Sequence, residues 1–209
     1  MSGALARPLA DSDMKIPLAV DFDGTICLVD TLLWLRARCR SSPQLETLRQ
    51  SARASSKQAE KLFLWEHVGL DIDSLPWDEE ILHTLAAQSR QGRQLILVTG
   101  SAQPLARAAG ERLGLFDEYW GSTSDVNLTG MWKAAKLVEV FGEGGYDYVG
   151  DSPADVPVWS KARLGYFLDR PGSVPFEVPI EVRRLPSTRP LQTPWIDADG
   201  DGDDFVLGQ

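Results

Sequence analysis

The sequence is poor in cysteine and in long apolar runs. Its 209 residues include two cysteines, Cys27 and Cys39. Their spacing does not form a CxxC pair, which excludes a disulfide framework and a cysteine-rich zinc site, so we expect two buried, reduced thiols. The N-terminus lacks the apolar stretch of a secretory signal, and no segment approaches the roughly 18 apolar residues that cross a bilayer. We therefore expect a cytoplasmic protein.

Positive charge is also scarce. The chain has 21 Lys and Arg residues against 30 Asp and Glu residues, which gives a net charge of -9. This balance argues against binding of a nucleic-acid backbone through overall charge. An anionic substrate would need local positive charge from a metal ion, a lysine or backbone amides.

What the chain does have is an alternation of short apolar runs and segments with helical periodicity, which is typical of an α/β fold with a parallel sheet. We predict strands at residues 16–20, 95–98, 146–149 and 165–168, with a weaker one at 118–120. We predict core helices near residues 78–91, 104–113, 131–141 and 154–162.

The first two predicted strands are too far apart in sequence for a single crossover helix. Residues 28–77 are rich in helix formers, and Ser42 followed by Pro43 is a typical helix start. We therefore predict a core formed by residues 14–27 and 78–170, with a helical insertion at 28–77. Residues 171–209 are rich in proline and end in an acidic run, so we expect an irregular, partly disordered tail.

Two acidic motifs follow predicted strands. The first is DFDGT, with Asp21 and Asp23, in which Gly24 permits a tight backbone turn. The second is GDSPAD, with Asp151 and Asp155. Ligands of open parallel sheets bind beyond the carboxyl ends of the strands, where both motifs lie. Several carboxylates gathered there would repel one another without a hard divalent cation, and oxygen ligands suit Mg2+.

A third segment, LVTGS, brings polar groups to the end of another predicted strand. The hydroxyl of Thr99 and nearby amides are suited to bind a phosphoryl oxygen. Lys133, near a predicted helix start, is the first candidate for the cation that such a site requires, and Lys136 is the alternative. We assign four small residues of the first and third motifs to substrate binding, namely Gly24, Thr25, Gly100 and Ser101.

The order DFDGT, LVTGS, Lys133 and GDSPAD resembles the four motifs of the haloacid dehalogenase-like hydrolase superfamily over about residues 16–170. The resemblance implies a Rossmann-like parallel sheet flanked by helices, with a small helical cap inserted after the first strand. Residues 124–159 further resemble the hydrolase domain found fused to UbiA-type prenyltransferases. This narrower likeness implies a functional link to such a membrane enzyme.

The resemblance also implies roles for the acidic residues. Asp21 would be the nucleophile that becomes phosphorylated, and Asp23 would be the general acid and base. Mg2+ would be held by Asp21, by the backbone carbonyl of Asp23 and by Asp151, with Asp155 binding directly or through water. Thr99 and Lys133 would stabilise the phosphoryl oxygens.

Asp23 favours phosphate chemistry, because dehalogenases of the superfamily lack this acid and base. The favoured interpretation is a phosphatase that acts on a small-molecule or lipid-linked phosphate. Two alternatives stay open at this stage. One is a phosphomutase, and the other is a catalytically silent module that binds or regulates a membrane prenyltransferase.

Overall fold

The computed structural model describes residues 13–171 and 181–192. In these ranges the chain forms a six-stranded parallel sheet with the strand order β3-β2-β1-β4-β5-β6. The strands are β1 (Leu18–Val20), β2 (Leu95–Ala102), β3 (Glu118–Ser122), β4 (Asp147–Gly150), β5 (Leu164–Asp169) and β6 (Arg183–Pro186). The predicted Rossmann-like fold is confirmed.

The central strands are apolar because the sheet is covered on both faces. Leu18 and Val20 of β1 pack on one face, whereas Ala19 between them packs on the other. Val20 pairs with Leu97 of β2 and with Val149 of β4. The carboxyl ends of these three strands therefore lie side by side, which brings together the polar residues that follow them.

Among the described residues, four helices cover the core sheet. They are α4 (Glu79–Arg90), α5 (Gln103–Leu113), α6 (Met131–Phe141) and α7 (Val156–Trp159). Helices α4 and α5 contribute Leu85 and Leu105 to the apolar cluster on one face, and α6 and α7 contribute Leu137 and Val158 to the cluster on the other. The predicted helix at 154–162 is shorter than expected, because a 3-10 turn at Pro153–Asp155 precedes α7.

Between β1 and α4 the chain forms a helical insertion, the cap, which packs against the core. It contains α1 (Thr31–Cys39), α2 (Pro43–Ser55), α3 (Lys57–His67) and a 3-10 turn at Ile72–Ser74. The predicted helix start is observed, since the Ser42 hydroxyl accepts a hydrogen bond from the Leu45 amide. Cys39 is buried in the cap and Cys27 in the core, and neither forms a disulfide.

A buried carboxylate joins the three cap helices. Glu60 of α3 is fully buried and forms ion pairs with Arg36 of α1, at 2.8 Å, and with Arg49 of α2. Removal of one partner of a buried ion pair leaves an uncompensated charge. This network therefore fixes the cap helices relative to one another.

The two linkers between cap and core run next to each other. The Leu28 amide donates to the Pro76 carbonyl at 2.8 Å, and the Asp78 amide donates to the Ile26 carbonyl at 2.9 Å. Asp78 then caps α4, because its carboxylate accepts hydrogen bonds from the first-turn amides. The cap is thus attached through a short paired stem.

The structure differs from the sequence-based expectation in the tail. Arg183–Pro186 form the edge strand β6, which pairs in parallel with β5 from Tyr166 to Asp169. Charged residues and a proline are common on edge strands, where one side faces solvent. Residues 172–180 and 193–209 of the predicted tail lie outside the described residues. Within the described ranges, none of the helices has the length and apolar character needed to span a membrane.

Candidate active site

Three of the predicted acidic residues meet at the carboxyl edge of the sheet. Asp21 follows β1, Asp151 follows β4, and Asp155 lies in the 3-10 turn before α7. One carboxylate oxygen from each of the three residues lies within 4.8 Å of the corresponding oxygens of the other two. The adjacency of β1 and β4 explains this convergence of residues that are distant in the sequence.

Lys133 is the lysine of this site. It lies in the first turn of α6, is 4% exposed, and its Nζ donates to Asp21 Oδ1 at 2.8 Å and to Asp155 Oδ1 at 3.4 Å. The alternative, Lys136, lies one turn further along and pairs at 3.3 Å with Glu139 on the exposed side of the helix. The structure therefore places Lys133, and not Lys136, against the acidic residues.

Tyr148 connects Lys133 to Asp155. Its buried hydroxyl accepts a hydrogen bond from Lys133 Nζ at 2.8 Å and donates to Asp155 Oδ1 at 2.5 Å. The other Asp155 oxygen accepts from the Asp151 amide and from the amide and hydroxyl of Ser152, each at 3.2 Å. Asp155 is thus held by donors on both oxygens, which suits a role in orienting the site.

Asp151 lies against the turn that follows β1. The Thr25 hydroxyl donates to Asp151 Oδ1 at 3.1 Å. Gly24 has φ +75, and a Cβ at this position would lie 2.1 Å from Asp151 Oδ2. A glycine is therefore required both for the backbone conformation and for the close approach of the carboxylate. Gly24 and Thr25, which the sequence predicts to bind substrate, contact Asp151 in this structure.

The Asp23 side chain lies outside the acidic group. Its Oδ1 accepts from the amide and hydroxyl of Thr31, at 2.8 and 2.7 Å, and its Oδ2 accepts from the Ser101 hydroxyl at 2.7 Å. Thr31 is the first residue of α1, so the first cap helix contacts this carboxylate directly. The buried Thr99 hydroxyl accepts from the Ser101 amide at 3.0 Å. Ser101 therefore links Asp23 to Thr99.

The electrostatics of the acidic group favour a bound cation. Burial raises the pKa of Asp21 to about 7, with a contribution from Asp155, although Lys133 opposes the shift. Burial, Asp155 and Asp21 together raise the pKa of Asp151 well above its ordinary value. A divalent cation would offset this repulsion, and the all-oxygen donor set suits a hard ion such as Mg2+. The residues present therefore fit a metal of that class.

A sequence profile described as "HAD: haloacid dehalogenase-like hydrolase" matches residues 18–160, which include all of these groups. The chain belongs to this family. A curated relative, the uncharacterised protein y4nM of Sinorhizobium fredii, is 35% identical over 155 residues. That match covers 72% of this chain but 29% of the relative, so the chain spans less than a third of the relative's length.

Solved structures of a HAD family hydrolase and of two phosphatases share the fold. The enzyme t0658 from Salmonella enterica serovar Typhi has a TM-score of 0.52 at 16% identity, covering 73% of this chain and 63% of that one. Phosphoserine phosphatase in its apo form has a TM-score of 0.52 at 18% identity, covering 74% and 86%. A putative phosphoglycolate phosphatase from Lactobacillus delbrueckii has a TM-score of 0.50 at 15% identity, also covering 74% and 86%. The resemblance to the UbiA-fused subgroup stays a prediction.

In this haloacid dehalogenase-like hydrolase, the cap contributes a lysine that the sequence analysis missed. Lys61 of α3 is 9% exposed, and its Nζ donates to the Gly100 carbonyl and to Asn127 Oδ1, each at 2.7 Å. Burial lowers the pKa of Lys61 to about 8, and the nearby charge of Asp23 opposes the shift. Lys61 therefore joins the cap to β2 and to the loop that precedes α6. No motif signals this contact, because it depends on how the cap packs on the core.

Proposed function

We propose that this hydrolase is a Mg2+-dependent phosphatase that cleaves a phosphate monoester through an aspartyl-phosphate intermediate. The observation that carries the proposal is the contact between Lys133 and Asp21 within a group of three buried or half-buried carboxylates. A carboxylate nucleophile requires a nearby cation to approach an anionic phosphoryl group, and Lys133 supplies one such charge.

The proposed chemistry assigns one step to each acid. Asp21 attacks phosphorus, so that an O–P bond forms to its carboxylate while the bond from phosphorus to the leaving oxygen breaks. Asp23 donates a proton to that leaving oxygen and then removes a proton from the water that hydrolyses the intermediate. Mg2+ held by Asp21, Asp151 and the Asp23 carbonyl would supply positive charge for the phosphoryl oxygens. Asp155 orients the group, and Lys133 and Thr99 bind phosphoryl oxygens.

The position of Asp23 fits its assigned role. Its carboxylate lies between the core and the cap, bonded to Ser101 on one side and to Thr31 on the other. A leaving group bound beneath the cap would lie at this boundary. Asp23 must exchange at least one of these hydrogen bonds to donate its proton, which connects the acid step to the position of α1.

The first test is release of inorganic phosphate from p-nitrophenyl phosphate by the full chain, with Mg2+ and with EDTA. We expect activity that is lost on chelation and in Asp21→Asn, because that variant lacks the nucleophile. Asp125→Asn, in an exposed loop, is the matched control and should retain activity. A folded wild-type protein that releases no phosphate with any metal would contradict the proposal and favour a binding module.

The substrate class needs a second test. We propose a small-molecule or lipid-linked phosphate, so the panel should contain phosphosugars, phosphorylated hydroxy acids and polyprenyl phosphates. Phosphorus NMR of the products distinguishes hydrolysis from transfer. Net release of phosphate supports a phosphatase, whereas an isomeric sugar phosphate without release would identify a phosphomutase.

A further inference from the structure

A second buried arginine network lies next to the active site and has no part in the chemistry above. Arg170 follows β5, and its side chain has no exposed surface. Its Nε donates to the Gly24 carbonyl at 2.7 Å, and its Nη2 donates to the Thr25 carbonyl. These are the two residues that contact Asp151.

The third nitrogen of Arg170 binds the second cap linker. Nη1 lies 2.5 Å from Asp78 Oδ2 and 3.0 Å from the Ser187 hydroxyl, and it also donates to the Arg189 carbonyl at 3.5 Å. A planar guanidinium presents its donors in a fixed fork, so the acceptors that it binds are held at fixed relative positions. Arg170 thus fixes the turn after β1 relative to the start of α4.

The C-terminal segment, residues 187–192, completes this arrangement. The Ser187 hydroxyl donates to Asp78 Oδ2 at 3.3 Å, and the Gln192 amide donates to the Leu28 carbonyl at 2.7 Å. Leu28 and Asp78 belong to the two cap linkers. Both linkers are therefore bound by residues that follow β5.

We propose that Arg170, supported by the C-terminal segment, is a positioning residue that holds the Gly24–Thr25 turn where Asp151 can bind the metal. The inference rests on the proposed function. Residues that orient metal ligands from behind contribute strongly to metal affinity even though they do not touch the ion. Arg170 and Ser187 lie beyond residues 18–160, so the family profile does not account for this support.

The chain offers a matched control for this test. Arg93 and Asp147 also form a fully buried pair at 2.5 Å, but Asp147 is the first residue of β4, at the opposite edge of the sheet from Asp151. We compare Arg170→Met combined with Asp78→Asn against Arg93→Met combined with Asp147→Asn. Each double variant removes both charges of its buried pair. Asp147 also binds Arg163, but the Arg163 side chain is 33% exposed, so the charge that remains in the control is partly solvated. Asn at position 78 preserves the cap of α4.

Four quantities are measured on the full-length proteins: the melting temperature, the Kd for Mg2+ by calorimetry, and kcat and KM for p-nitrophenyl phosphate. We expect the double variant at Arg170 and Asp78 to bind Mg2+ about 10-fold more weakly or worse and to have a similarly lower kcat, as for other residues that orient metal ligands. The double variant at Arg93 and Asp147 should lose thermal stability but keep its Kd for Mg2+ and its kcat within about 2-fold of the wild type. The single variant Arg170→Lys should also bind Mg2+ more weakly than the wild type. One ammonium group cannot bridge acceptors in the turn, the linker and the C-terminal segment.

The outcomes separate the two proposals. Equal effects of the two double variants on Mg2+ affinity, or no effect of the Arg170 pair in a folded protein, would overturn the positioning role while the phosphatase proposal stands. A Mg2+ affinity of Arg170→Lys equal to that of the wild type would also overturn it. A wild-type protein that neither binds Mg2+ nor releases phosphate would instead overturn the proposed function and, with it, this inference.

Discussion

Replacement of the proposed nucleophile is expected to stabilise the metal-free protein. Burial and a neighbouring carboxylate raise the pKa of Asp21 from 3.8 to about 7 in the folded state. At pH values between about 4 and about 7, the folded protein holds a proton on Asp21 that the unfolded chain has lost. The free energy of unfolding therefore falls as the pH rises through this range. A shift of about three units corresponds to about 4 kcal/mol at most. The effective dielectric constant of a protein interior, about 20, reduces this cost, and we expect Asp21→Asn to gain about 2 kcal/mol at pH 8.

The measurement is urea unfolding followed by tryptophan fluorescence, which seven tryptophans make sensitive. The wild type and Asp21→Asn are compared in EDTA at pH 8 and at pH 5, with Asp125→Asn as the control for removal of an exposed charge. The gain should be largest at pH 8 and should shrink at pH 5, where the wild-type carboxyl is mostly protonated. Addition of Mg2+ at 100 times its Kd should stabilise the wild type by about 2.7 kcal/mol and should stabilise Asp21→Asn much less.

Two results would refute this reasoning. One is an Asp21→Asn protein that is no more stable than the wild type at pH 8 without metal. The other is a stability difference that does not change between pH 5 and pH 8. Either would mean that the ion pair with Lys133, at 2.8 Å, outweighs the cost of burying the carboxylate.

The remaining predictions concern three other contacts. Gly24→Ala should abolish Mg2+ binding measured by calorimetry, because the added Cβ would clash with Asp151. The control Gly69→Ala should lose only stability, since Gly69 has a similar φ of +73 but nothing lies within 4 Å of its added Cβ. Equal loss of Mg2+ binding in both variants would contradict the clash with Asp151. Tyr148→Phe should lower the free energy of unfolding by about 1–3 kcal/mol, because buried donors and acceptors lose their partner, and an unchanged urea midpoint would count against this. Lys61→Met should raise the KM for p-nitrophenyl phosphate more than it lowers kcat, because the contact joins the cap to the core; an effect on kcat alone would argue for a role in the chemical step.

Much of the candidate site could be predicted from the sequence, because its residues directly follow the apolar runs that form strands. Asp21 and Asp151 each directly follow a strand that the sequence predicts, and neighbouring parallel strands end at the same edge of the sheet. The bounds of α6 agree with the predicted helix at 131–141, which placed Lys133 in its first turn. Local sequence patterns were sufficient to place these side chains, because the candidate catalytic residues lie at strand ends and at a helix start.

Other contacts depend on packing that no local pattern reveals. Tyr146 and Tyr148 lie two residues apart and pack on the same face of the sheet, yet the hydroxyl of Tyr146 donates to the Val158 carbonyl at 3.1 Å while that of Tyr148 contacts Asp155. Tyr148 lies two residues nearer the carboxyl end of β4, and this position brings its hydroxyl to Asp155. Lys61 is one of many polar residues in the cap, and its contacts lie 39 and 66 residues away in sequence.

Strand β6 was missed for a related reason. Its sequence, Arg183–Pro186, has no apolar alternation, and its strand conformation comes from pairing with β5. The sequence predicts that the core ends at Arg170, just before Pro171. In the structure, the Arg170 guanidinium binds carbonyl oxygens 145 and 146 residues away in the sequence. Long-range acceptors of this kind become visible only in three dimensions.

The paired linkers have a consequence for how selectivity changes in this protein. Because the chain leaves and re-enters the core at adjacent points, at Leu28 and Pro76, the intervening segment can be exchanged as a cassette without breaking a strand pairing of the sheet. Two cap residues that contact the core limit such an exchange. The Thr31 hydroxyl donates to Asp23, and Lys61 donates to the Gly100 carbonyl and to Asn127. A replacement segment that keeps these two side chains keeps the contacts through which the cap reaches the candidate site.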